Sequence, residues 1–160
     1  MNNLVINDKF DVISNLDLSL ITNKLIYVYK WNKEDAMECE KLYRNFLLLN
    51  LKYWGKESIA PTEEIDLFWH EHILDTKKYQ EDCMNIFGQI MHHFPYAGLP
   101  NSGVDKNQLL AVFNRTQELH FKEFGCYMYD IRVGFLGCLK SLYKIISKKS
   151  NDIFTLRSNQ

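Results

Sequence analysis

Pro61-Thr62-Glu63-Glu64-Ile65-Asp66-Leu67-Phe68-Trp69-His70-Glu71-His72-Ile73-Leu74-Asp75-Thr76 contains the two signals that decide the fold, a helix start and a helix break. The Thr62 hydroxyl can accept a free first-turn amide, and Glu63 and Glu64 complement the positive end of the helix dipole. Ile65, Phe68, Trp69, His72, Thr76, Tyr79 and Cys83 then recur at helical spacing, so this stripe is expected to face the core. One straight helix over residues 62–88 would put His72 and Gly88 about 24 Å apart along the axis. The five residues from Gly88 to His93 span at most about 17 Å. For His92-His93 to return to His70 or His72, the helix must break, and Asp75 is a good N-cap at which a second helix can begin.

Outward from this stretch the chain reads as helical throughout. Only three prolines and seven glycines occur in 160 residues, and apolar residues repeat at three- and four-residue steps between them. A first helix is expected over about Leu16–Tyr29 and a second, capped by Asn32, over Ala36, Cys39, Leu42, Tyr43, Phe46, Leu47 and Leu49 to about Leu51. Another runs from about Asp105 to Phe124, and a last one from about Leu136 to Ser147. The predicted fold is all-α: a single-domain bundle of about five to six helices over residues 1–150, with a flexible tail at 151–160. The loop at 91–103, marked by Pro95, Gly98, Pro100 and Gly103, is expected to fold over a polar pocket with the 105–124 helix as its partner.

Composition narrows the function classes. A 46% hydrophobic content allows one core without disulfides or metal staples. Nineteen basic and twenty acidic residues leave a net charge of -1, which gives no field for nucleic acid or anionic lipid. The local cluster Lys140, Lys144, Lys148, Lys149 reads as a solvated helix face. Cys39, Cys83, Cys126 and Cys138 are widely spaced, no signal peptide is evident at the start, and no apolar run is long enough for a membrane span. A cytoplasmic protein is the expectation.

Four of the five histidines lie between residues 66 and 93, together with Asp66, Trp69, Tyr79, Asp82 and Cys83. The pattern Asp66-x-x-Trp69-His70-x-His72, then Tyr79-x-x-Asp82-Cys83, Gly88 and His92-His93-x-Pro95, resembles the domain at the N-terminal side of glycine-rich domain-containing proteins, in the form of a small stand-alone bacterial-type member. The resemblance is densest from Ile65 to Gly98. It implies no established reaction, and the glycine-rich and RNA-binding parts of the plant relatives lie outside this domain.

The side chains themselves suggest a metal. Asp66 and His70 are one helical turn apart and can share an ion. His70 and His72 lie about 200° apart around a regular helix, so the H-x-H spelling is not a chelate by itself. With a break at Asp75, His70, His93 and Asp66 or His72 can form a three-ligand site with an open position, suited to zinc or ferrous iron. Trp69, Asp75, Tyr79, Asp82 and His92 are expected to orient these ligands or line the pocket, and Glu71, Asp75 or Tyr79 to supply an acid or base. The H-E-x-x-H spacing of established metalloproteases is absent, so enzymatic use stays open.

Each residue also has a plainer explanation. His72 on the apolar stripe can be a buried member of a hydrogen-bonded network, with Tyr79, Thr76 or His120 as its partner. Cys83 beside Asp82 is better explained by packing than by nucleophilic chemistry, because the carboxylate opposes the thiolate. Trp69, Tyr79, Phe87, Phe94 and Tyr96 at helical spacing read as core before they read as a ligand cavity. The expected function is binding of a metal ion or small ligand at the His/Asp cluster. The alternative is a non-catalytic protein-protein interaction or adaptor module in which the histidines only lock helices together.

Overall fold

Among the described residues, four helices begin where a side chain of the sequence caps them. The structure, a computed structural model, describes residues 3–128, with side chains from Asp8 onward. Six helices occur among them: α1 (Asn3–Ser14), α2 (Ser19–Tyr27), α3 (Lys33–Lys52), α4 (Glu63–Leu74), α5 (Thr76–Phe87) and α6 (Lys106–Phe124). No strand is present among the described residues.

The Asn32 side chain caps α3 by accepting from the Asp35 amide at 2.8 Å, and Thr62 caps α4 by accepting from Ile65. Asp105 and Gln108 form a reciprocal capping box at the start of α6. The expected helix over Leu16–Tyr29 is shorter, running as α2 from Ser19 to Tyr27, and it is preceded by α1, which was not expected. The separation of the two is reinforced from α3. Arg44 donates to the carbonyls of Ile13 at 2.6 Å and Leu16 at 2.9 Å, satisfying acceptors that the end of α1 leaves without helical partners.

Helix α3 is the spine, packing against α1, α2, α4 and α6. Its Ala36, Cys39, Leu42, Tyr43, Phe46, Leu47, Leu49 and Leu51 are buried, the face its periodicity assigns to the core. Ile65, Phe68 and Trp69 of α4 and Tyr79, Cys83 and Ile86 of α5 close the core from the other side. Thr76 departs from the expected stripe and is exposed, because it opens α5 beyond the break and no longer follows the phase of α4.

The break falls at Asp75, whose side chain accepts from the Lys78 amide. Helix α5 ends at Gly88, where φ is +74°, a left-handed conformation that glycine adopts without steric cost. The following loop rests on α6 at Gly98, where an added Cβ would lie 3.2 Å from the Leu109 side chain. The expected helix at Leu136–Ser147, the lysine cluster at 140–149, the domain limit at 150 and the tail at 151–160 lie outside the described residues. Among the described residues, no helix is long and apolar enough to cross a membrane.

Candidate metal centre

With the helix broken at Asp75, α5 packs against α4 and the segment after Gly88 reaches Asp66 on α4. There His93 Nε2 donates to Asp66 Oδ1 at 2.9 Å. His70 Nδ1 faces the other Asp66 oxygen at 3.6 Å, one turn along α4. The two imidazole rings lie 4.5 Å apart between centroids at 59°, and one ligating atom from each of Asp66, His70 and His93 falls within 4.8 Å of the others. His70 and Asp66 are 42% and 34% exposed in their side chains while His93 is 12% exposed, so the cluster has a packed floor and a solvent-facing opening. The packed side is Trp69, whose ring meets His93 edge-on at 4.5 Å and 71°.

The histidine-rich motif therefore divides in two. His72 is not part of this cluster: the 200° separation from His70 sends it to the core, where it is 1% exposed. Its hydrogen-bond partners are neither Thr76 nor His120 nor Tyr79. The Tyr43 hydroxyl lies 2.8 Å from Nδ1 and Asp82 Oδ2 lies 3.0 Å from Nε2. The Tyr79 ring contacts the imidazole edge-on at 5.0 Å. These partners define a neutral tautomer in which Tyr43 donates to Nδ1 and Nε2–H donates to the carboxylate. Burial lowers the His72 pKa, against the pull of Asp82, which is consistent with that neutral form. Lys78, one turn before Asp82 on α5, shares the same carboxylate at 2.9 Å.

Other residues expected at the site have separate duties. Asp75 caps α5, and His92 is exposed with its neighbour His93 turned inward. Glu71 is buried and bound to Lys24 and, at 2.6 Å, to the Tyr29 hydroxyl. Burial alone would raise its pKa, but Lys24 and Tyr29 outweigh that and hold it below the usual carboxylate value. Such a fixed, ion-paired carboxylate ties α2 to α4 and is not available as an acid or base. Cys83 is 2% exposed and its thiol is pushed up by burial, with Asp82 acting in the same direction, so packing explains it. Phe94 and Tyr96, read from their spacing as core, are exposed on the loop and meet edge-on at 5.6 Å. An open surface depression of about 460 Å³ lies on α5, lined by Lys77, Gln80, Glu81, Met84 and Asn85, and none of the cluster residues borders it.

Tyr43 was missed as a member of the histidine network. The available signal was a tyrosine at a core position of α3, because a buried phenol needs a hydrogen-bond partner.

The family model of the UCP032817-like family matches residues 9–125, which takes in the end of α1, the α2 to α6 helices and the whole histidine cluster. The chain belongs to the UCP032817-like family. This overturns the resemblance to glycine-rich domain-containing proteins. Of the residues that carried that resemblance, Trp69, His72, Tyr79, Asp82 and Cys83 pack one helical corner and Gly88 ends α5, while Asp66, His70 and His93 form the cluster. No curated protein and no solved structure matches the chain. The family is uncharacterised and brings no reaction with it.

Proposed function

We propose that this UCP032817-like protein binds one divalent transition-metal ion through Asp66, His70 and His93. The observation that carries the reading is the convergence of these three side chains, two from α4 and one from the loop after α5, at a solvent-facing spot with ligating atoms within 4.8 Å of one another. Two imidazoles and a carboxylate suit zinc or ferrous iron. A tetrahedral zinc keeps its ligand atoms about 3.3 Å apart, so closing the set requires side-chain movements of about 1 Å. Half-exposed His70 and Asp66 have room for that movement. The ion would take the place of the proton that His93 Nε2 now shares with Asp66. Three protein ligands leave a coordination position open toward solvent, where water or a small ligand can enter.

Elemental analysis of tag-free protein, purified without chelators and also after reconstitution with zinc or ferrous iron, tests the reading. One equivalent per chain is expected in the wild type and none in His70→Ala or His93→Ala, with helical content retained in both. His72→Ala should keep its metal while losing about 3 kcal/mol of stability, because the Tyr43 hydroxyl is left buried without its partner, Asp82 keeps only Lys78, and a core imidazole is removed. A wild type that takes up no ion after reconstitution refutes the proposal.

A further inference from the structure

The geometry points to Tyr79 as a positioning residue of the metal centre: its hydroxyl, fixed by Trp69, holds the Met91 carbonyl and so aims His93 at Asp66. The inference rests on the metal reading above and adds the part of the fold that builds the site.

His93 is the one ligand of the three that no helix carries. Asp66 and His70 have their spacing set by α4, whereas a loop imidazole keeps its place only if the backbone beside it is held. The holding point is Met91. Trp69 Nε1 donates to the Tyr79 hydroxyl at 2.9 Å, and that hydroxyl spends its one proton on the Met91 carbonyl. The Met91 backbone also lies against the Cys83 thiol, one turn after Tyr79 on α5. The Met91 carbonyl is thus bound to α5, and the Met91 side chain is buried.

From this anchor, burial alternates as it does in an extended chain. Met91 points in, His92 out, His93 in and Phe94 out. A slip of one residue would offer His92 to Asp66 and turn His93 to solvent. The pinned peptide prevents that slip, which explains why one of two adjacent histidines joins the cluster. Trp69 closes the arrangement from the other side, since the indole whose N–H fixes Tyr79 also packs its ring on His93.

The test loads apo protein with Co²⁺ and measures its dissociation constant, its visible spectrum and the hydrogen exchange of the 89–94 amides. Tyr79→Phe is expected to weaken Co²⁺ binding on the order of tenfold, the low end for residues that orient ligands. Its visible bands should shift, and exchange should speed up at 89–94 while the helices keep wild-type protection. Tyr43→Phe removes a different buried phenol bond, the one to His72, and should leave the Co²⁺ affinity at the wild-type value. Should Tyr79→Phe not fold, Cys83→Ala removes the thiol that lies against the Met91 backbone with Tyr79 in place and has the same expected direction. Wild-type affinity and exchange in the Tyr79 or Cys83 variant, in a protein that does bind Co²⁺, overturns the positioning role alone. A wild type that binds no Co²⁺ overturns the metal reading and this inference with it.

Discussion

Histidine's role in this chain is set by surroundings and hardly at all by the local sequence spelling. His70 and His72 are two residues apart, yet one lies on an open cluster and the other is sealed between Tyr43 and Asp82. His120 is a third case. Its Nδ1–H donates to the Cys126 carbonyl at 2.7 Å, and Asn45 of α3 lies 3.2 Å from Nε2, which fits a neutral ring accepting from the amide. Burial lowers its pKa against the pull of Cys126, and Lys41 of α3 adds to the lowering. The unfolded chain therefore binds a proton more readily than the folded one. Stability from this group is full above the ordinary value of 6.5 and is lost as pH falls through it toward the lower folded value. Urea midpoints should drop between pH of about 7.5 and 5.5, and His120→Gln should make that dependence shallower, the remainder belonging to His72, whose pKa burial also lowers. An equally steep dependence in the variant would assign the effect to other groups.

At the scale of elements, caps were readable and long-range partners were not. Asn32, Thr62, Asp75 and Asp105 act through amides two or three residues away, so their chemistry is written locally, and the helices they start were expected. Helix α1 was not legible, because Val5, Ile6, Val12, Ile13 and its asparagines are weak helix formers. Part of its support comes from Arg44 on α3, at a separation no local pattern reveals. The return of His93 to α4 was legible as a distance problem that only a break at Asp75 could solve, whereas the Tyr43–His72 bond required knowing how α3 faces α4. Gly88 is where α5 hands over to the loop, and its positive φ has a measurable consequence. An added Cβ would meet nothing within 4 Å, so Gly88→Ala carries only the backbone cost of the left-handed conformation. A loss of about 1 kcal/mol in urea denaturation is expected, with helical content unchanged. A substitution without cost would mean that α5 can end differently.

For the molecule as a whole, the candidate centre joins one helix to a loop that is otherwise held to it by Trp69 and Tyr79. Asp66 and His70 belong to α4, which packs on α2 and α3, while His93 belongs to the loop that follows α5 and leads to α6. An ion held by all three would fasten the loop to α4, and the unfolded chain would lose that bond. Binding must then stabilise the native state by mass action. With free metal at a hundred times its dissociation constant, the gain is about 2.7 kcal/mol. For a chain of this length each kcal/mol corresponds to about 2–4 °C, so Tm should rise by roughly 5–10 °C. The rise should reverse with chelator and be absent in His70→Ala and His93→Ala. In Tyr79→Phe it should need about tenfold more metal, because the ligands are intact but His93 is less firmly aimed. Differential scanning calorimetry across a metal titration measures all four responses together. A rise that persists in His70→Ala and His93→Ala would place the ion elsewhere on the chain. No rise in a wild type shown to hold metal would mean that the ion binds the unfolded chain as well as the folded one, and that the cluster is not organised by the fold.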